Sequence, residues 1–147
     1  MNADKSELID GALTESVIGV FYAVHNELGH GFAETVYENA FAVALRSAGH
    51  EVEQQRRLIV RYRGVIVGEF FADMIVEQRL LIELKTVSNI VPAHEAQLTN
   101  YLKATGLRVG LLLNFGPRAQ FMRRVFDPAL SAYIRDHPRQ SALKNSR

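Results

Sequence analysis

Residues 69–86 read EFFADMIVEQRLLIELKT, and the charged residues Asp73, Glu83 and Lys85 stand inside an otherwise apolar run. Charged side chains enter such a run only when something pairs with them or uses them. ADMIV (72–76) and LLIELK (80–85) read as two strands, joined by the polar Glu77-Gln78-Arg79. With the turn centred on Gln78, Asp73 and Glu83 are equidistant from the apex and face each other across an antiparallel ladder, with Cβ atoms about 4.5–5.5 Å apart. Moving the centre by one residue makes them diagonal neighbours, still within reach of one shared ion. Glu83 and Lys85 alternate with Leu84 and so share a strand face. One reading is a buried ion triad in which Lys85 neutralises both acids. The other is a reactive site. A triad of two acids and one lysine keeps a net negative charge, which burial penalises unless a cation arrives.

Outward from this hairpin, the periodicity changes. Upstream, Leu58, Val60 and Tyr62 alternate with Ile59, Arg61 and Arg63, and Gly64 allows a turn into VIVGEFF (65–71). The segment therefore predicts hairpin-linked strands in an antiparallel meander. Downstream, HEAQLTNYLKAT (94–105) has helical composition and closes at Gly106, and VGLLLNF (109–115) is an apolar strand. Strand, helix, strand makes a right-handed crossover, so LLIELK and VGLLLNF run parallel. QFMRRVF (120–126) adds an edge strand, and Asp127-Pro128 opens a last helix to about Arg135. At the other end, Leu13, Val17, Val20, Phe21, Val24 and Leu28 form one helix stripe, stopped by Gly29-His30-Gly31. Tyr37, Phe41, Ala44, Leu45 and Ala48 form a second, with Gly49 as its cap. The fold class is α/β in the α+β sense: one mixed sheet, an antiparallel meander plus a parallel βαβ crossover, flanked by helices.

The 147 residues fit one domain, which the pattern places at 13–137, between a polar segment at 1–12 and a polar tail at 138–147. The absence of cysteine excludes disulfides and thiolate zinc sites and fits a reducing, cytoplasmic setting. No stretch approaches membrane-spanning length, so no membrane partner is expected. The net charge of +1 does not announce a nucleic-acid binder. Arginines nevertheless cluster at Arg56-Arg57, at Arg61 and Arg63, and at Arg123-Arg124, where pairs of guanidinium groups suit phosphate. In the helix after LLIELK, His94, Gln97 and Tyr101 share a face, which brings Gln97 and Tyr101 towards Lys85.

Asp73, then Glu83-Leu84-Lys85, then Gln97-Leu98-Thr99-Asn100-Tyr101 together resemble the PD-(D/E)xK nuclease superfamily, with the QxxxY element of its RecB-like and lambda-exonuclease-like branch. GHGFAETVYENAF (29–41) carries Gly31, Glu34 and Tyr37 in the pattern that names the GxxExxY protein family within that superfamily. The likeness runs from about Val17 to Phe126. ExK alone is common; the ordered set ending in GLLLNFG (110–116) is far more specific. Ala72 replaces the proline of the PD pair, at a position that carries no ligand.

The resemblance implies a restriction-endonuclease-like core and a metal-dependent nuclease hydrolysing phosphodiester bonds, in DNA rather than RNA. It implies Mg²⁺ or Mn²⁺ held by Asp73, Glu83 and the Leu84 carbonyl. Lys85 would orient or deprotonate the attacking water and offset transition-state charge. Gln97 and Tyr101 would position water, Lys85 or substrate. Glu34 or Glu38, four apart on one helix face, would add a carboxylate; the plainer reading is an acidic first turn favoured by the helix dipole. His25, one turn after Phe21, is a metal-ligand candidate by the same resemblance and otherwise a residue at the core edge. Tyr37 reads as packing and Gly31 as a turn residue. Two competing functions stand beside the nuclease: a non-catalytic nucleic-acid-binding or regulatory module on the same fold, and a structural domain with a salt-bridged core. A homodimer would double the basic surface available to a duplex.

Overall fold

The computed structural model describes residues 9–127. Its elements are α1 (Gly11–Leu28), α2 (Glu34–Ser47), β1 (Val52–Tyr62), β2 (Val65–Val76), β3 (Leu80–Lys85), α3 (Pro92–Thr105), β4 (Val109–Phe115) and β5 (Ala119–Val125). The strands form one sheet in the order β1-β2-β3-β4-β5. Only β3 and β4 run parallel, from Leu80 opposite Val109 to Lys85 opposite Asn114. β4 is apolar but for Asn114, and β3 but for Glu83 and Lys85, because both of their faces are covered.

On one face, Val17 and Phe21 of α1 and Tyr37, Phe41 and Leu45 of α2 pack on Met74, Ile82, Leu84, Leu111 and Leu113. Phe115 is the hub of this layer, with ring contacts to Phe21, Tyr37 and Phe41. Truncating it to alanine costs about 3–5 kcal/mol by the usual cavity cost. On the other face, Leu98 and Leu102 of α3 pack on Leu81 and Leu112. The helix lies so close to β4 that a Cβ on Gly110 would come within 2.9 Å of Leu98.

Two expectations about the meander change. β1 starts at Val52 rather than Leu58, because the polar Val52–Gln54 stretch pairs with Met74–Val76 and pairing overrides weak strand propensity. VIVGEFF and ADMIV are one continuous strand, β2. β3 pairs with β2 only over Met74, Ile75 and Val76, so the rest of the β1–β2 hairpin extends past β3 as an arm.

At the root of the arm the side-chain alternation inverts. Val52 and Met74 belong to the α1/α2 core, whereas Leu58 and Ala72, of the same parity, belong to the α3 core. The inversion occurs where Gln55 lies opposite Asp73, between the pairs Gln54–Met74 and Arg56–Ala72. Gln55 has the left-handed φ of 53° that accommodates the change. The helix expected from Asp127-Pro128 to Arg135 and the 138–147 tail lie outside the described residues, as does most of the 1–12 segment.

Candidate active site

The β2–β3 ladder ends at Met74 opposite Ile82, and the same register puts Asp73 opposite Glu83. Here side chains replace the ladder bonds. The Asp73 amide donates to Glu83 Oε1 at 3.1 Å, and the Leu84 amide donates to Asp73 Oδ2 at 2.8 Å. Glu83 is only 4% exposed, and Asp73 is half-buried. Burial, and after it the Asp73 charge, push the Glu83 carboxyl up to about 9. A cation bound between the two acids would displace that proton and relieve their mutual repulsion. Lys85 does not supply that charge by contact: among the ion pairs of the described residues, none joins it to Asp73 or Glu83. The buried ion triad is therefore not the arrangement formed.

α2 brings further acids to the same place. Glu34, at its first turn, is half-buried, and its carboxyl is raised by burial and then by the Asp73 charge, with Lys85 acting in the opposite direction. Glu38 is 8% exposed, and both of its oxygens accept from β1: Oε1 from Gln55 at 2.7 Å and Oε2 from Gln54 at 2.9 Å. The Gln55 amide also reaches Asp73 Oδ1 at 3.3 Å. Gln55 thus links two carboxylates without adding charge. Sequence reasoning missed it, because a left-handed glutamine in a polar strand leaves no compositional mark.

The chain leaving Lys85 is held by a clasp. Buried Asn114 accepts from the Val87 amide at 2.9 Å and donates to the Val87 carbonyl at 2.8 Å. Gly116 sits so close that a Cβ would lie 2.0 Å from the Val87 oxygen. Asn114 had a readable signal, a lone polar residue inside an apolar strand, which is the same signal that marks Asp73. The clasp directs the chain into α3, where Gln97 Nε2 donates to the Tyr101 hydroxyl at 3.2 Å. Burial and then the Glu83 charge raise the Tyr101 phenol. His94 instead accepts from the Val91 amide at 3.1 Å and caps the helix.

His25 bonds through Nε2 to the Gly116 carbonyl at 2.9 Å and stacks on Phe115. A carbonyl only accepts, so Nε2 is the protonated nitrogen. Tyr37 donates to the Gly29 carbonyl at 2.6 Å and accepts from the Phe32 amide, fastening the α1–α2 loop in which Gly31 takes a φ of 121°. Of the arginines, Arg123 donates to the Ile9 carbonyl and Arg124 pairs with Glu95; Arg56 and Arg57 pair with Glu53 and Glu69. Arg61 and Arg63 stand exposed on the arm, with Arg63 over the Tyr62 ring.

Among the described residues, no group of three or more His, Asp or Glu side chains converges as a closed metal cage. The adjacent Asp73 and Glu83 carboxylates fit the open coordination of a hard divalent ion, which takes one or two carboxylates and completes its shell with water and phosphate. Among the described residues, no helix is long and apolar enough to cross a membrane.

Two solved structures share this fold. SSO0001 is 21% identical, with a TM-score of 0.53, over 93% of this chain and 69% of its own. An alkaline exonuclease from Laribacter hongkongensis is 15% identical, with a TM-score of 0.50, over 92% of this chain and 77% of its own. The search of curated protein sequences finds no match. Residues 11–125, a span that holds both helical layers and the sheet, match the PD-(D/E)XK nuclease superfamily, so the chain belongs to that superfamily.

Proposed function

We propose that the protein is a nuclease that hydrolyses phosphodiester bonds in DNA with Mg²⁺ or Mn²⁺. The observation that carries this reading is the Asp73–Glu83 pair at the open end of the β2–β3 ladder, with Lys85 next on the same strand face and outside any ion pair with them. Asp73, Glu83 and the Leu84 carbonyl would hold the ion. When bound, the ion polarises the phosphodiester and lowers the pKa of an attacking water.

The chain's own residues do the rest. Lys85 orients the water and meets charge developing on the phosphate oxygens. Gln97 fixes the Tyr101 hydroxyl, and together they position the water or the strand beside Lys85. Glu34, which feels the charges of Asp73 and Lys85, would accept a proton or hold a water beside them. Exposed Arg61 and Arg63 steer the phosphate backbone. The resemblance to the GxxExxY group rests on Gly31, Glu34 and Tyr37, and a cysteine-free chain suits the cytoplasm.

The test is cleavage of labelled linear and circular, single- and double-stranded DNA and matching RNA, with Mg²⁺, Mn²⁺ or EDTA, beside Glu83→Ala. Metal-dependent cutting that is lost in the variant is expected. A folded protein that neither cuts nor binds Mn²⁺ overturns the reading.

A further inference from the structure

Between the arm and α3 lies an apolar pocket of about 410 Å³, within the usual size range of ligand pockets. Val60, Val67 and Phe70 of the arm line it together with Tyr101 of α3, and the two aromatic rings meet. The Phe70 and Tyr101 rings are 5.5 Å apart and inclined at 47°. Tyr101 belongs to the site just described, and Phe70 precedes Asp73 on the same strand, so the pocket adjoins the acids. Asn100 and Lys103, one turn apart on α3, stand exposed at its mouth.

A phosphodiester backbone gains nothing from apolar walls. A base does, because every base has a π-face that stacks on aromatic rings. The Asn100 amide offers a donor and an acceptor to a base edge, and the Lys103 ammonium suits the flanking phosphate. A second copy of the arm is a poorer occupant: it would bring its own Arg61 and Arg63 towards Lys103. A base reaches such a pocket only after leaving its stack, which single strands permit at least cost.

We infer that this pocket receives an unstacked nucleobase of the strand being cut, which makes the substrate single-stranded or locally unpaired at the site. The inference rests on the nuclease reading for its relation to cutting, but base binding is measurable without cleavage.

Gly68 supplies the decisive variant. It lines the pocket, and a Cβ there would meet only the Phe70 ring at 3.4 Å and Val60 at 3.8 Å, so Gly68→Leu fills the space without a severe clash. Affinity of the full chain for single-stranded DNA oligonucleotides is measured in EDTA by fluorescence anisotropy. Each oligonucleotide carries one abasic nucleotide at a stepped position. With Mn²⁺, the same set is scanned for cleavage. Loss of one base contact is expected to weaken binding by about tenfold, and Gly68→Leu to abolish the difference between intact and abasic strands. In the cleavage scan, the sensitive position should lie at a fixed offset from the cut. Base-sensitive binding without any cutting would fail the nuclease reading and keep the pocket. Abasic and intact strands bound alike by the unmodified protein would overturn the inference. So would unchanged strand affinity in Gly68→Leu together with a dimer-to-monomer shift in sedimentation.

Discussion

Asp73 and Glu83 each bond to the opposite strand's backbone, the Asp73 amide to Glu83 Oε1 and the Leu84 amide to Asp73 Oδ2. The carboxylates therefore terminate the β2–β3 ladder as well as facing each other. Any change in their charge acts on the sheet, and this gives stability a definite pH dependence. Glu83 is raised in the folded state, first by burial and then by Asp73. Its proton stabilises the metal-free fold below the unfolded carboxylate value, and that stability is lost as pH rises towards about 9. The metal-free melting temperature should fall from pH 5 to pH 9, Mn²⁺ should flatten the fall, and Glu83→Gln should remove most of it. A flat profile in the unmodified protein would refute this account.

Lys85 lies outside any ion pair with the two acids, so its loss should affect chemistry more than folding. Lys85→Met should lower kcat by about 100- to 1,000-fold, the range for a lost group that meets developing charge, while Mn²⁺ affinity is retained. Breaking a buried ion pair would instead cost about 3–5 kcal/mol. Thermal melting and Mn²⁺ titration of the same variant distinguish the two.

Gln55 holds a left-handed backbone and two carboxylates at once. Gln55→Gly relieves a backbone cost of about 1–2 kcal/mol, which offsets part of the lost hydrogen bonding and keeps the protein folded. Without the amide, Asp73 and Glu38 lose their neutral link. Mn²⁺ affinity, read by electron paramagnetic resonance, and cleavage rate should both fall about tenfold, the equivalent of one hydrogen bond to a charged group. Gln78→Gly, at a left-handed turn position away from the acids, is the control.

His25 is tied to the Gly116 carbonyl. His25→Ala should cost about 1 kcal/mol of stability, the net worth of a hydrogen bond, and leave Mn²⁺ affinity unchanged in calorimetry. A large loss of affinity at constant stability would make His25 a ligand after all.

Much of this was legible because the central hairpin is short and strongly patterned. Gln78 lies at the apex, the register that follows sets Asp73 against Glu83, and helix α3 between two apolar runs dictates a parallel crossover. What stayed hidden depends on length and partner. VIVGEFF looks like core strand, yet Val65 and Val67 are exposed because the short β3 ends before reaching them. The Arg123-Arg124 pair suggests phosphate, but only the folded chain brings Ile9 and Glu95 to it. Gln55 shows its role only once Glu38 and Asp73 are both in place.

The early end of the β2–β3 ladder also separates two dimensions that enzymes often share. The acids sit at the fork, fastened to β3, while the hairpin beyond them has no such attachment. Adding two residues to each of its strands would move the tip outward by about 6–7 Å at the usual rise, with the acids and Lys85 left where they are. Reach across a substrate can thus be lengthened or shortened like a calliper jaw, independently of the point at which the bond is cut.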